Sequence, residues 1–179
     1  MRPLLLLALL AASSATAQEA PAPDAFNALF ASTCMQHFHS PDKLRASMQR
    51  EGIEPLTGDQ AEFFLGGKPG SAWLLLTSGT RYVVSLRDDS VCAVFAQQAD
   101  QASTQAGFVA LVQNAPDPIE ARVADATDLG PEGDDTRTIA YTWSRAADPS
   151  ELLFVLTTST SSEATAQAMA TVSLVKKEG

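Results

Sequence analysis

AWLLLTSGTRYVVSLRDDSVCAVFAQ, residues 72–97, decides the fold. Three short runs rich in aliphatic and aromatic residues, 72–78, 81–87 and 91–97, are separated by Gly79-Thr80 and by Asp88-Asp89-Ser90. Apolar runs of strand length with turn residues between them predict a three-stranded meander. The segments on either side carry a different period, and they settle what this meander packs against.

Upstream the period is helical. From Asp24, a natural N-cap, the residues Phe26, Leu29, Phe30, Cys34 and Phe38 recur as one face of a helix, with Thr33 and His37 completing the stripe. Ser40-Pro41 stops that helix, because the residue before a proline is pushed out of the helical region. The same serine reads as the N-cap of a second helix, with Pro41 at its first position and Asp42 in its first turn. This helix runs to about Glu51, ends at Gly52 and buries Leu44 and Met48. A third starts at Thr57, where Thr57-Gly58-Asp59-Gln60 has the form of a capping box; it carries Phe63, Phe64 and Leu65 and stops at Gly66-Gly67.

Downstream, Asp100 opens a helix to about Asn114, with Ala102, Ala106, Val109, Ala110 and Val112 or Gln113 on its packing face, before Pro116 and Pro118. Four more strands are expected at 119–126, 137–145, 152–158 and 167–176, with a hairpin turn at 146–150. In the last of them Ala168, Ala170, Val172 and Leu174 alternate. The order ααα-βββ-α-ββββ, with runs of adjacent strands, predicts an α+β fold: N-terminal helices and a central helix packed on a mainly antiparallel sheet. It is also the order of a helix-plus-meander unit used twice, without a residue-level repeat.

The first residues bear on compartment. Arg2, the apolar run PLLLLALLAA and Ala15-Thr16-Ala17 are the charged, apolar and cleavage regions of a signal peptide, expected to be removed after Ala17. Residues 18–23 read as a disordered leader and 24–179 as a single domain in the periplasm. The apolar run is too short for a membrane span, and no second one follows, so no membrane insertion is expected. A formal net charge of −9 and a pI near 4.5 argue against nucleic acid, which calls for basic patches. With only two cysteines in an exported chain, a Cys34–Cys92 disulfide is expected. In the chain-entropy model a loop of that length is worth about 4 kcal/mol.

The chemical candidates are few. Cys34, His37 and His39 form C-x2-H-x-H, but His39 lies about 200° around the helix from His37, and a structural zinc normally takes four ligands. The histidines are therefore weak metal candidates, and no cofactor is implied. Ser40-Pro41-Asp42-Lys43 matches the S-x-x-K of penicillin-recognising enzymes, yet Ser173-Leu174-Val175-Lys176 matches it too, inside an expected strand. There is no G-x-S-x-G elbow, and the glycines between Gly66 and Gly70 have the wrong order for a phosphate loop. The most distinctive feature is acidic: residues 117–135 hold Asp117, Glu120, Asp125, Asp128, Glu132, Asp134 and Asp135 against a single Arg122, without a calcium-loop pattern, and Asp125, Asp128, Glu132, Asp134 and Asp135 are the candidate binding residues. Such a segment is a solvated loop or an electrostatic docking surface for a cationic envelope protein.

An amphipathic helix bearing Cys34, the string Phe64-Leu65-Gly66-Gly67 with Ala72-Trp73 beyond it, and Asp88-Asp89-Ser90-Val91-Cys92-Ala93-Val94 together resemble a family of uncharacterised exported proteobacterial proteins with two cysteines. The resemblance implies an envelope location and a two-cysteine α+β fold, and transfers no functional residues. The expected function is that of a periplasmic, non-enzymatic binding or interaction protein, such as a toxin-neutralising or envelope-assembly partner. The alternatives are a small envelope hydrolase using Ser40 and Lys43 or the two histidines, and a periplasmic metal-binding protein.

Overall fold

The computed structural model of the protein describes residues 24–77, 79–130 and 133–177. The expected signal peptide and the leader at 18–23 lie outside them. Four α-helices, α1 (Ala25–Phe30), α2 (Pro41–Arg50), α3 (Gly58–Leu65) and α4 (Gln101–Val112), accompany seven strands. These are β1 (Gly70–Thr77), β2 (Thr80–Arg87), β3 (Cys92–Ala96), β4 (Glu120–Ala124), β5 (Thr136–Ser144), β6 (Ser150–Ser159) and β7 (Ala168–Lys176). The fold is α+β, in the expected element order.

All seven strands form one antiparallel sheet in the order β1-β2-β3-β7-β6-β5-β4. Each half is a meander preceded by a helix, and the last strands of the two meanders, β3 and β7, pair at the centre. Because cross-strand partners share a face, the register defines two surfaces. Trp73, Val84, Val94, Ala170, Leu156 and Ile139 run across one. Leu74, Val83, Phe95, Met169, Thr157 and Thr138 run across the other. The first is the floor of the main core; the second is mixed.

The long helical stripe covers the first face. Phe26, Phe30 and Cys34 are buried as expected, and Asp24 caps α1 by accepting the Asn27 N–H at 2.7 Å. A π-helical turn, Ala31–Met35, follows α1, and both Thr33 and Cys34 within it are buried. Cys34 pairs with Cys92 at the edge of β3, tying this segment to the centre of the sheet. Phe30 meets Phe108 of α4 with ring centroids 6.0 Å apart. Between these helices the fully buried Asn27 donates its side-chain N–H to the Thr104 carbonyl at 3.0 Å. Gly107 makes room for that amide: a Cβ there would sit 2.4 Å from Asn27 Nδ2.

Three local expectations are corrected. The packing face of α4 is Thr104, Phe108 and Val112, whereas Ala102, Ala106 and Ala110 are exposed. Its apolar residues surround the whole helix, so pattern does not select a side; the large Phe108 does, by filling the gap beside Phe30. Thr57 makes no side-chain cap bond, because Gly58 enters α3 with φ +59° instead of the geometry a capping box needs. Ser40 holds the N-cap position of α2 through its carbonyl, which accepts the Lys43 N–H at 2.9 Å, and its hydroxyl makes no cap bond.

Candidate functional site

The second face of the sheet is covered unevenly. At the β1–β2 corner it carries α3, whose triple run Phe63-Phe64-Leu65 is apolar on more than one side. Leu65 packs inward with Ala72 and Val83, while Phe63 is 59% exposed. The chain before α3 closes part of the sheet edge: the Leu56 N–H donates to the Ala72 carbonyl at 2.7 Å, and Pro55 bridges to Trp73. Beyond Trp73, Leu74 and Leu76 of β1 stay 39% and 69% exposed. Isolated apolar side chains on a surface need no explanation; here two successive positions on one face of the edge strand β1 stay open.

Under α3 lies a cleft of about 190 Å³. Its apolar lining is Leu56, Phe64, Leu74, Val83 and Phe95, and among the described residues Arg81 is the one charged side chain that lines it. Phe64 and Phe95 meet edge-to-face with centroids 5.1 Å apart. Thr165 and Ala166 of the β6–β7 connection close the cleft from the other side.

The far end of the same face carries the acidic loop. Gly130 lies directly on β5 and β6: a Cβ there would meet Thr138 Oγ1 at 2.3 Å and Thr157 Oγ1 at 2.9 Å. The two threonine hydroxyls are 3.1 Å apart, so the loop sits on a paired polar platform. Asp125 Oδ1 accepts from the Thr127 hydroxyl at 2.6 Å and its N–H at 3.0 Å, and these bonds hold its carboxyl below the usual carboxylate range. Asp135 accepts the Thr160 N–H through its carbonyl at 2.9 Å, which ties the loop to the end of β6. Asp128 and Asp134 are exposed. Glu132, assigned to this group from sequence, lies outside the described residues.

The remaining candidates are scattered. Cys34 is in the disulfide, which removes it as a thiolate partner of His37. His37 lines a small depression beside that disulfide, together with Arg45 and Asp88. Arg45 Nη2 reaches Asp88 Oδ1 at 2.9 Å and Nη1 reaches Asp42 Oδ1 at 3.2 Å. His39 is exposed, stacks edge-on against Phe38 and lines a different depression with Trp143, Asp148 and Glu151. Lys43 is exposed and its ammonium forms no hydrogen bond with the Ser40 hydroxyl, so the S-x-x-K residues are not assembled into a serine–lysine pair. Among the described residues no three His, Cys, Asp or Glu side chains converge as a metal-binding set.

Comparison with protein-family models, with curated proteins and with solved structures finds no match. Among the described residues no helix is long and apolar enough to cross a membrane. The cleft and its arginine escaped the sequence reading, since they come from three strands, a helix and a distant loop. Two signals pointed there: the apolar run Phe63-Phe64-Leu65, too broad for one-sided packing, and the Val83 and Phe95 positions, which fall opposite the main core.

Proposed function

We propose that this is an exported, non-enzymatic binding protein of the cell envelope, and that it receives a cationic protein partner on the sheet face opposite its main helix layer. One observation carries the reading. The apolar corner and the acidic loop occupy the two ends of a single face, joined by the row Leu74, Val83, Phe95, Met169, Thr157 and Thr138. A partner lying across it finds an apolar anchor at Phe63 and Leu76 and negative charge at Asp125, Asp128, Asp134 and Asp135. The anchor supplies affinity through buried apolar area, and the carboxylates accelerate and orient encounter. The disulfide is the form a cysteine pair takes in an oxidising exported compartment. Within this reading the protein acts as a toxin-neutralising or envelope-assembly partner.

The test is co-purification from cross-linked envelope extracts with the protein and its Leu76→Asp variant. A basic protein enriched by the first and lost with the second is the expected result, with recovery falling as salt rises. Enrichment that Leu76→Asp leaves unchanged, or no enriched protein at any salt concentration, contradicts the proposal.

A further inference from the structure

We infer that the cleft under α3 binds a small apolar carboxylate, a compact hydrocarbon such as a six-membered ring bearing one acid group. This goes beyond docking of a protein across the face, because it assigns the cleft its own ligand. The cleft is built from fixed parts. Leu74, Val83 and Phe95 come from three neighbouring hydrogen-bonded strands, and Phe64 is braced against Phe95. The wall at Thr165 and Ala166 is held through Gln167. The Gln167 side chain donates to the Ser161 carbonyl at 3.3 Å and accepts the Ala99 N–H at 3.1 Å, and the Gln167 backbone N–H donates to the Ala96 carbonyl at 2.9 Å. Preformed, mainly apolar concavities with a few polar groups are the usual form of small-molecule sites.

Size and charge select the ligand class. An apolar cavity of about 150 Å³ accommodates benzene. The cleft's volume of about 190 Å³ therefore suits a six-membered ring with a short arm. Arg81, the cross-strand partner of Leu76, brings a guanidinium to these apolar walls. Arg45, Arg87 and Arg122 each pair with a carboxylate, whereas Arg81, like Arg50, Arg137 and Arg145, takes part in none of the ion pairs among the described residues, and of these four it is the one that lines the cleft. Gln60 and Gln97 also line the cleft and offer amide N–H groups. A guanidinium fork matches a carboxylate in two parallel hydrogen bonds, a geometry that neither an alcohol nor an amine reproduces. In a chain of net charge −9 the general field repels anions, so this exposed arginine beside an apolar cleft is a local exception.

Phenylacetate, 2-phenylethanol and 2-phenylethylamine share a ring and a short arm and differ in charge. Each is titrated into the protein while amide resonances are followed. Phenylacetate is expected to shift residues 74, 81–83 and 95–97 saturably, with the alcohol about tenfold weaker and the amine inert. Arg81→Met is expected to reduce phenylacetate to the level of the alcohol and leave the alcohol unchanged. Equal affinities for acid and alcohol overturn the inference, as does an acid affinity that Arg81→Met does not alter. Absence of saturable shifts up to about 10 mM, on a scale where 1 mM is already weak binding, overturns it too. So do concentration-dependent shifts of the same amides without ligand, which identify a second copy of the chain as the occupant.

Discussion

The two faces of the sheet are built from the same strands in the same register, yet they do different work. On the helix-covered face Val84, Val94, Leu156, Ala170 and Val172 are fully buried, closed over by α1, the π-helical turn and α4 and tied down at Cys34–Cys92. On the opposite face an eight-residue helix covers one corner and a loop lies across the other, leaving Leu74 and Leu76 in solvent. Stability concentrates where two long helical stripes meet an unbroken apolar row. In the proposed function, recognition falls to the face whose cover is short. The contrast follows from how much apolar helix the chain offers each side, since both faces present strand residues of similar propensity.

The sharpest way to break this contrast is to truncate one aromatic ring on each face. Phe108→Ala removes a fully buried ring and is expected to cost about 3–5 kcal/mol. Phe95→Ala, at a half-buried position beside the cleft, is expected to cost well under half as much in the same urea titration. Equal losses would mean that the second face is as structural as the first. Next in size is the crosslink. Cys34→Ala/Cys92→Ala is expected to destabilise the protein by about 2–5 kcal/mol, read from the urea midpoint of the oxidised protein against the double variant. Reduction of the unmodified protein should reproduce the loss.

Smaller again is the packing of α1 on α4. Gly107→Ala drives a methyl group into the Asn27 amide and puts its bond to Thr104 at risk, with an expected loss of about 1–3 kcal/mol. Adding Asn27→Ala should recover part of it, because the two substitutions act on one contact. Additive losses would show that the amide is not what the methyl group displaces. The smallest effect is electrostatic. Asp100 caps α4 by accepting the Ser103 N–H at 2.8 Å, and that bond lowers its carboxyl from an ordinary value of 3.8. A lowered folded value means the contribution is complete above the ordinary carboxylate range and is lost as pH falls through the folded value. Asp100→Asn keeps a capping oxygen and removes the charge, so its deficit in urea midpoint should be present at neutral pH and vanish in acid. A deficit that persists in acid would trace the cap to shape alone.

Much of the fold was legible. Strand runs flanked by glycine, aspartate and serine announced themselves, and the seven strands fall where the sequence placed them to within two residues at most ends. Two cysteines in one chain left one internal pairing, and it is formed. What sequence could not supply was direction. In α4 the alanines and Val109 gather on one side while Phe108 and Leu111 lie on the other, so the buried face was set by Phe108 meeting Phe30. Nor did any pattern seat Gly130 on Thr138 and Thr157, because that contact depends on how the loop closes. The candidate site was less legible still: the acidic residues were visible as composition, while Arg81 gained meaning only when α3 and the loop at Thr165 enclosed it.

The measurement that tests the central claim most directly is site-specific photo-crosslinking in the envelope, with a photoreactive side chain at Leu76 or at Val123. Both residues are exposed, at 69% and 76%, but they lie on opposite faces of the sheet near its two edges. A discrete adduct with a basic protein from position 76, and none from position 123, is the predicted result. An adduct from position 123 alone, or none from 76, would show that the thinly covered face is not where this protein meets its partner.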